Sequence, residues 1–396
     1  MTINRYMGPS LSQSLTYESV GNHEDYSPIL TNISPELTFF FSRMKTAPKA
    51  QALEFGWMTE GLKPPQMNAH LEKTDFAGGK VGSVEAKKNY CQHFVNSGWV
   101  SDAQRRVQKL YDEPDELAHQ ITNALKEQAH DIEYMFVNGD TARAESGDLP
   151  ALSGGIPYFM QSETITATLD TSTGKVTAAS AHGLTTGDFV YFTADTMPTG
   201  LTAGTIYYIR TDDALPETVF TLFNSMKDAV ENKTDKQVKP TSKGTNLSLV
   251  KNNIIDLGSS TDFTVDDINT VMQMCYNRGG NPTEAVMSGA KKRRFSEIMS
   301  GLTTTMRSAG EDRVDMVVST YQSDFGVINA HSHRLYPDDR IDLLDMKFWE
   351  KKWFQESQRV PNLQKNGSYE QFAIEGWIGL QGTQPKASGS IVNIIR

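Results

Sequence analysis

The 396-residue chain contains no run of eighteen apolar residues, so no membrane-spanning helix is expected. Its first residues, MTINRYMGPSLSQS, lack the basic start and apolar stretch of a signal peptide. Cysteine is scarce. Cys91 and Cys275 stand far apart, which excludes a disulfide framework and reads as two reduced thiols in a cytosolic compartment. Basic charge is in deficit: 38 Lys and Arg against 48 Asp and Glu leave a net charge of −10, which disfavours a tight nucleic-acid grip over the whole surface. Catalytic signatures are missing as well. Gly154-Gly155 runs into Ile156-Pro157 rather than into a phosphate cradle, and no P-loop, dinucleotide fingerprint or nucleophile elbow occurs.

What is present reads as a soluble globular protein of two or three domains, with 38% hydrophobic and 22% charged residues. Residues 1–30 carry Ser, Asn, Gly and Tyr without a sustained period and read as an extended arm. Ser34-Pro35-Glu36 is a helix start, with Ser34 as the cap and Pro35 in the first turn. That helix carries Leu37, Phe39, Phe40 and Phe41 to about Met44, and its three successive aromatics require a packing partner. A strand begins at Ala52, with Leu53, Phe55 and Trp57 on one face. A polar excursion with Pro64-Pro65, Gly78-Gly79, Lys63, Lys73 and Lys80 follows, and an extended segment returns over 84–100. The unit 52–100 reads as a long two-stranded arm, marginal alone and in need of another surface.

A long amphipathic helix is predicted over 114–138. Pro114-Asp115-Glu116 opens it. Leu117, Ile121, Ala124, Leu125, Ile132, Met135 and Phe136 form its apolar face, and Asn138-Gly139 stops it with left-handed geometry. Such a rod is roughly 36 Å long. Over 164–250 the composition shifts to short Thr-, Val- and Tyr-rich strands between turn pairs, a β-rich insertion of small-barrel or sandwich type. Beyond it, Thr264 caps a helix to Tyr276 closed by Gly279-Gly280, and strands and helices alternate irregularly to the end. The fold class is α+β.

The candidate sites are sparse. His331-Ser332-His333 puts two imidazoles on one strand face, which read as solvent- or interface-facing in the absence of a third metal ligand at a recognised spacing. Lys291-Lys292-Arg293-Arg294 would spread around a helix and reads as a solvated or interface-pairing helix start. Asp338, Asp339, Asp342 and Asp345 lack a calcium loop and read as turn and strand-edge solvation. No cofactor, no metal and no catalytic set is expected.

The order of segments carries more than any one of them. Asn32-Ile33-Ser34-Pro35 precedes a Phe-rich helix. An arm follows, then a helix containing Lys126-Glu127-Gln128-Ala129-His130-Asp131-Ile132-Glu133-Tyr134, then Ser153-Gly154-Gly155-Ile156-Pro157-Tyr158. Asp266-Asp267-Ile268 through Gly279-Gly280-Asn281-Pro282, Phe325-Gly326-Val327-Ile328 and Glu375-Gly376 continue the pattern. This order resembles the major capsid proteins of tailed bacteriophages with the Hong Kong 97 (Johnson) fold. The segment 164–250 is similar to a small β module of assorted phage structural proteins.

The resemblance implies an N-terminal arm over 1–44, an E-loop over 45–100 and a peripheral domain over 101–149 and 351–396 around the helix 114–138. It further implies an axial domain over 150–163 and 251–350, with 164–250 as an inserted domain. Phe39, Phe40, Phe41, Trp57, Lys63, Lys73 and Lys80 become candidate inter-subunit contacts. The implied function is non-enzymatic: self-assembly as hexamers and pentamers into an icosahedral head that encloses double-stranded DNA without reading its sequence. Partners would be other copies, with a cement or decoration protein, a scaffold and a portal, but no membrane. Assembly would take place in the host cytoplasm and the product would reside in the virion. The rival readings are a tail or decoration protein, prompted by the β insertion, and a carbohydrate-binding or hydrolytic protein resting on Tyr207 and Tyr208.

Overall fold

A computed structural model describes residues 38–60, 84–107, 116–302 and 320–395, together with 65, 69 and 72. Short breaks fall at 162–163, 203–204, 213, 251, 259–260, 362 and 366. In chain order, α1 (Phe39–Arg43) and β1 (Lys45–Thr46) lead to β2 (Glu54–Glu60), β3 (Val84–Tyr90), β4 (Gln92–Ser101) and α2 (Asp102–Arg106). The long helix α3 (Glu116–Asn138) and the single turn α4 (Ile156–Phe159) follow. Next come β5 (Thr164–Leu169), β6 (Lys175–Ala178), β7 (Phe189–Thr193), β8 (Tyr207–Thr211), β9 (Val219–Phe223), α5 (Met226–Val230), β10 (Gln237–Val238) and β11 (Ser248–Val250). The remainder holds β12 (Ile254–Asp256), α6 (Val265–Asn277), β13 (Glu284–Met287), α7 (Gly289–Leu302), β14 (Thr320–Ser323) and β15 (Gly326–Ser332). It ends with β16 (Ile341–Leu344), β17 (Trp349–Arg359), β18 (Tyr369–Gly382) and β19 (Gly389–Val392).

The helix α3 runs across two sheets because its apolar side changes partner along its length. Near its start, Leu117 and Ala124 pack on Val100, Phe372 and Ile374 of a four-stranded sheet ordered β1-β17-β18-β4. Near its end, Ile132, Met135 and Phe136 share one core with Trp349, Trp353, Ile378 and Leu380 of that sheet. Val286 and Leu344 of a six-stranded sheet, ordered β12-β19-β16-β13-β15-β14, join the same core. Side chains alternate across a strand. Ala285 and Met287 therefore face the opposite way from Val286, into a second core with Phe263, Ile268 and Met272 beside α6 and Phe295 of α7. Leu125, expected on the apolar face of α3, is exposed.

Two glycine-bearing ends illustrate how the helices stop. Gly279 takes φ +77° after α6, and the Gly280 amide returns to Cys275 O at 2.9 Å, closing a left-handed terminus. The start of α6 is the expected cap, a reciprocal box between Thr264 and Asp267. Gly139 differs from expectation, since it is absent from the positive-φ residues. It is needed for space: a Cβ there would lie 2.6 Å from Met135 O and 2.9 Å from Gly155 N. The loop 153–155 presses on the end of α3, and Gly155 N–H donates to Gly139 O at 2.8 Å.

The expected two-stranded arm over 52–100 divides at Cys91. β2 and β3 pair antiparallel from Glu54↔Tyr90 to Glu60↔Val84 as a separate hairpin. β4 instead pairs with β18 over ten residues, from Gln92↔Ile378 to Ser101↔Tyr369. Burial decides the matter, because Phe94 and Val100 point into the body's cores while the arm beyond Trp57 has little to bury.

Residues 164–250 form a β-barrel. β11 pairs with both β5 and β7, and β8 pairs with both β7 and β9, so β5, β6, β9, β8, β7 and β11 close a ring with β10 as a spur on β9. The interior is filled by its own residues, among them Val176, Phe192, Ile209, Phe220, Leu222 and Leu249. The ring closes where it opens, because Val250 lies opposite Thr164. The barrel rests on α6: Phe189, Tyr191 and Val250 cover Met274, Arg278 stacks over Phe189 at 4.4 Å, and Asn277 donates to the Tyr208 hydroxyl at 3.3 Å.

Two outcomes follow. Replacing 164–250 by a short Gly-Ser bridge should leave the body folded, with circular dichroism showing a cooperative melt. The midpoint should drop by a few degrees because Met274 loses its cover. A chain that only aggregates would contradict a self-contained barrel. Burial pushes the Cys91 and Cys275 thiols up to about 11 and about 12, so at pH 8 neither should react with a disulfide reagent until denaturant is added.

Candidate functional site

The feature that ties distant segments together is a buried carboxylate. Glu133 lies on the C-terminal half of α3, where Ile132, Met135, Phe136 and Val137 leave it no route to solvent (0% exposed). Its Oε1 accepts the Phe40 amide at 2.7 Å and its Oε2 accepts the Phe41 amide at 2.8 Å. These are unsatisfied first-turn donors of α1, so α3 caps a helix 93 residues earlier in sequence. The same Oε1 lies 3.1 Å from Nε2 of His333, which follows β15 and is 4% exposed. The Phe39 ring sits 5.0 Å from His331 and 6.4 Å from His333. Arg43 pairs with Glu284 at 3.1 Å, and Lys351 donates to Phe41 O at 2.7 Å. The segment 38–46 is thus strapped to α3, both sheets and β17, which its strand β1 joins in parallel.

A second hub roots the hairpin arm. Asn89, the penultimate residue of β3, is wholly buried. Its Nδ2 donates to Leu380 O at 2.7 Å and Gly154 O at 2.9 Å, while its Oδ1 accepts the Gly154 and Tyr90 amides, each at 2.9 Å. One side chain thereby joins the arm, the 153–155 loop and β18. Phe55 and Cys91 pack beside it with Trp377 and Phe354.

The loop after β15 closes on the end of α3. Arg340 donates to Val137 O at 2.6 Å and Asn138 donates to Leu335 O at 3.3 Å, so a cation meets the negative end of the helix. Asp342 is buried against Arg340 at 3.0 Å and Ser390 Oγ at 2.5 Å, and it accepts the Tyr336 hydroxyl. Burial holds that hydroxyl well above its usual range, so it stays a donor. Asp345 accepts the Asn281 and Lys347 amides at 3.1 and 3.3 Å. Asp342 and Asp345 are therefore buried anchors, not solvated strand edges: interior carboxylates persist where donors surround them.

Other expectations are also corrected. His333 faces Glu133 inside the molecule rather than solvent or a neighbour, while His331, partly exposed, pairs with Glu284 at 2.5 Å. The basic run divides: Arg293 and Arg294 keep the expected solvated face, their side chains 84% and 48% exposed, while Lys291 turns into its own chain. Lys291 is buried on Asp262 at 3.2 Å and Ile395 O at 2.6 Å, Arg294 meets Asp262 at 2.9 Å, Arg293 meets Glu297 at 3.2 Å, and Lys292 lies over Phe295 at 5.1 Å. Tyr207 is buried with its hydroxyl on the Thr202 amide, and Tyr208 is docked on α6, so the pair forms no glycan-stacking platform.

Of the candidate inter-subunit residues, Phe40 is wholly buried in its own core and has no surface for a neighbour. Phe39 and Phe41 are partly buried, Phe41 under Lys351 at 4.4 Å. Trp57 is half-buried between Phe55 at 6.1 Å and Phe159 at 5.7 Å. Lys63, Lys73 and Lys80 lie outside the described residues, as do the Ser34-Pro35 and Pro114 helix starts.

Sequence reasoning missed Glu133, Gln128 and Asn89. Gln128 had a signal, being a polar residue four positions from both Ala124 and Ile132 in the apolar stripe; it donates to Phe94 O at 3.1 Å. For Glu133 the signal was weaker: from 132 to 137 the helix is apolar on nearly every side, which marks a buried end. Asn89 had none, since an asparagine beside a strand terminus reads as a turn.

An α+β body built on two sheets, crossed by one long helix, with a hairpin arm and buried polar groups spent on joining distant segments, is a shell subunit of the Hong Kong 97 type. The chain belongs to the SU10 major capsid protein family, whose model matches residues 11–394. Among solved structures, it is similar to a chain of the cyanophage A-1(L) capsid asymmetric unit at 8% identity and a TM-score of 0.53, covering 96% of this chain and 99% of that one. It is also similar to a chain from the capsid of the native GTA particle at 10% identity and a TM-score of 0.51, covering 98% and 100%. At such identities the likeness is one of fold. No curated protein sequence matches the chain. The protein is a capsid-forming structural protein of the virion, and this role displaces the tail, decoration and carbohydrate readings.

The hubs can be tested by substitution. Glu133→Ala leaves two amides and an imidazole without a buried acceptor and should destabilise the fold by about 3 kcal/mol, read as a shifted urea midpoint. Asn89→Ala should have a similar effect. Leu125→Ala, on the exposed side of α3, should fall within about 0.5 kcal/mol of the parent.

Proposed function

We propose that the subunit assembles as hexamers and pentamers into an icosahedral head around double-stranded DNA, acting without catalysis and joining its neighbours through arms that it cannot stabilise alone. The observation that carries this reading is the hairpin β2–β3. It is anchored at its base by Asn89, Phe55 and Trp57, yet at its far end Met58 is 78% exposed and Val84 56% exposed. Apolar side chains held out on a rooted stem gain their burial from another chain.

In this reading, residues 1–44 are the N-terminal arm and the hairpin with 61–83 is the E-loop. The four-stranded sheet with α3 is the peripheral domain, and the six-stranded sheet with α6 and α7 is the axial domain. The barrel is an insertion projecting from the axial domain. The division at Cys91 moves 92–101 from the E-loop to the peripheral domain. The acidic balance of the chain fits a wall that lets packed DNA slide. Assembly takes place in the host cytoplasm, with a scaffold, a portal and a cement or decoration protein as partners. Phe39, Phe41, Trp57, Lys63, Lys73 and Lys80 are the positions proposed to meet neighbouring copies.

The test is direct. Purified protein imaged by electron microscopy should show capsomers or shells. Replacing 61–83 by a short turn between Glu60 and Val84 should preserve the thermal melt and abolish shells. A truncated chain that still forms shells of normal size would overturn the role given to the arm, and a parent chain that stays monomeric under all conditions would overturn the assembly reading.

A further inference from the structure

Open sheet edges invite pairing with another chain, and soluble proteins guard them by keeping them short or charged. Most open edges among the described strands are guarded in this way. β1 and β10 span two residues each, β12 three and β14 four. The hairpin strands β2 and β3 carry Glu54, Glu60, Glu85, Lys87 and Lys88. β4 is the exception. Its ten residues end the four-stranded sheet, and among the described residues it pairs with β18 alone. From Asn89 to Ser101 the sequence holds no Asp, Glu, Lys, Arg or Pro.

Gln128 shows which way the backbone of this edge points. Its Nε2 lies 3.1 Å from Phe94 O and 3.4 Å from Ile374 O. One amide reaches both carbonyls only where both lie in the seam between β4 and β18. In an antiparallel ladder a residue turns its N–H and C=O to the same side, and its chain neighbours turn theirs to the other. Phe94 is directed at β18, and the register runs without a shift from Gln92↔Ile378 to Ser101↔Tyr369. His93, Val95, Ser97 and Trp99 therefore direct their N–H and C=O groups outward. Their side chains alternate with Phe94 and Val100, which pack toward α3, so they share the opposite face of the sheet. All four are exposed, Val95 at 53% and Trp99 at 67%.

We propose that this edge is completed by β4 of a second copy, antiparallel about a two-fold axis at Ser97, so that two four-stranded sheets become continuous. The chemistry of the strand selects its partner. A charged strand laid on this edge would bring charges to a seam that offers them no counter-charge, whereas β4 is itself neutral, long and open. Hydrogen bonding requires outward-directed residues to meet outward-directed residues. Among such registers, the one centred on Ser97 sets Val95 against Trp99 of the other copy, and Trp99 against its Val95. It thereby covers both exposed apolar side chains of the edge and keeps the paired stretch within β4. An axis normal to the sheet also leaves both copies of α3 on one face. The inference rests on the assembly reading for what brings copies together, and its test separates the two.

Directly opposed residues of a hydrogen-bonded antiparallel pair have Cα atoms about 5.5 Å apart, a separation that a disulfide spans. The full-length Ser97→Cys protein, oxidised under native conditions and run on a non-reducing gel, should therefore give a covalent dimer. Cys91 and Cys275 are buried and do not compete. Val95→Cys alone should stay unlinked, because Trp99 is its counterpart, whereas Val95→Cys combined with Trp99→Cys should link. Adding Val95→Asp to Ser97→Cys should lower the linked fraction severalfold, since it sets a carboxylate against the seam. Absence of a link through Ser97, or equal linking through Val95→Cys alone, overturns the pairing. Shells that form without the Ser97 link reject the pairing and leave assembly standing. A linked dimer in a preparation that never forms shells keeps the pairing and rejects the assembly reading.

Discussion

The constraint on which the body depends is the burial of one negative charge. Glu133 is wholly enclosed, and a carboxylate so placed is tolerable only if donors surround it. Those donors come from α1 and from the residue after β15, 93 and 200 positions away in sequence. Satisfying a single residue therefore fixes three segments against one another. It also explains why the cores of the two sheets are continuous at this point. Phe40, capped by Glu133, packs with Ile132 and Phe136 of α3, Val286 and Leu344 of the six-stranded sheet, and Trp349 and Ile378 of the four-stranded sheet. Without the strap, α3 would still lie on its own sheet and keep its bonds to Leu335 and Arg340, but its C-terminal half would lose the Phe40 ring from the core it shares with the second sheet.

The molecule separates what it stabilises internally from what it leaves for others. The barrel has its own closed ladder and its own core, and it touches the body through a small patch at the end of α6. In the body, α3 and the strap share one core with both sheets, and a second core lies on the other face of the six-stranded sheet under α6 and α7. The hairpin β2–β3 has neither: its base is tied by Asn89 and its far end carries exposed apolar side chains. Buried polar groups follow the same division. They are dense where the chain must bring remote segments together, at Glu133, Asn89, Asp342 and Asp345, and each has directional partners that an apolar residue could not replace without losing the register it sets.

Much of this was legible in the sequence, and the reasons differ by element. α3 declared itself through an apolar period and α6 through its Thr264–Asp267 cap, both local signals. The insertion was legible as regularly spaced strands, although only pairing could reveal a closed ring. The boundaries that failed were those set at long range. The arm was read through to residue 100 because β3 and β4 form one extended run, and only the pairing of β4 with β18, some 280 positions on, separates them. Gly139 was read as a left-handed stop, whereas its real constraint is the approach of Gly155. The site was least legible. Its carboxylates looked like surface charges, since nothing local distinguishes an aspartate that meets Tyr336 and Ser390 from one that meets water.

The strand β19 has a consequence for the life of the polypeptide. It lies inside the six-stranded sheet, parallel to β12 and antiparallel to β16, and Ser390 Oγ reaches Asp342 from there. Residues 389–392 are synthesised long after β12, which has no place in the sheet until they arrive. A nascent chain therefore carries a gap between β12 and β16 until those residues are made. Because long-range pairing of this kind is slow, a subunit cannot present a finished surface to its neighbours before translation has passed that point.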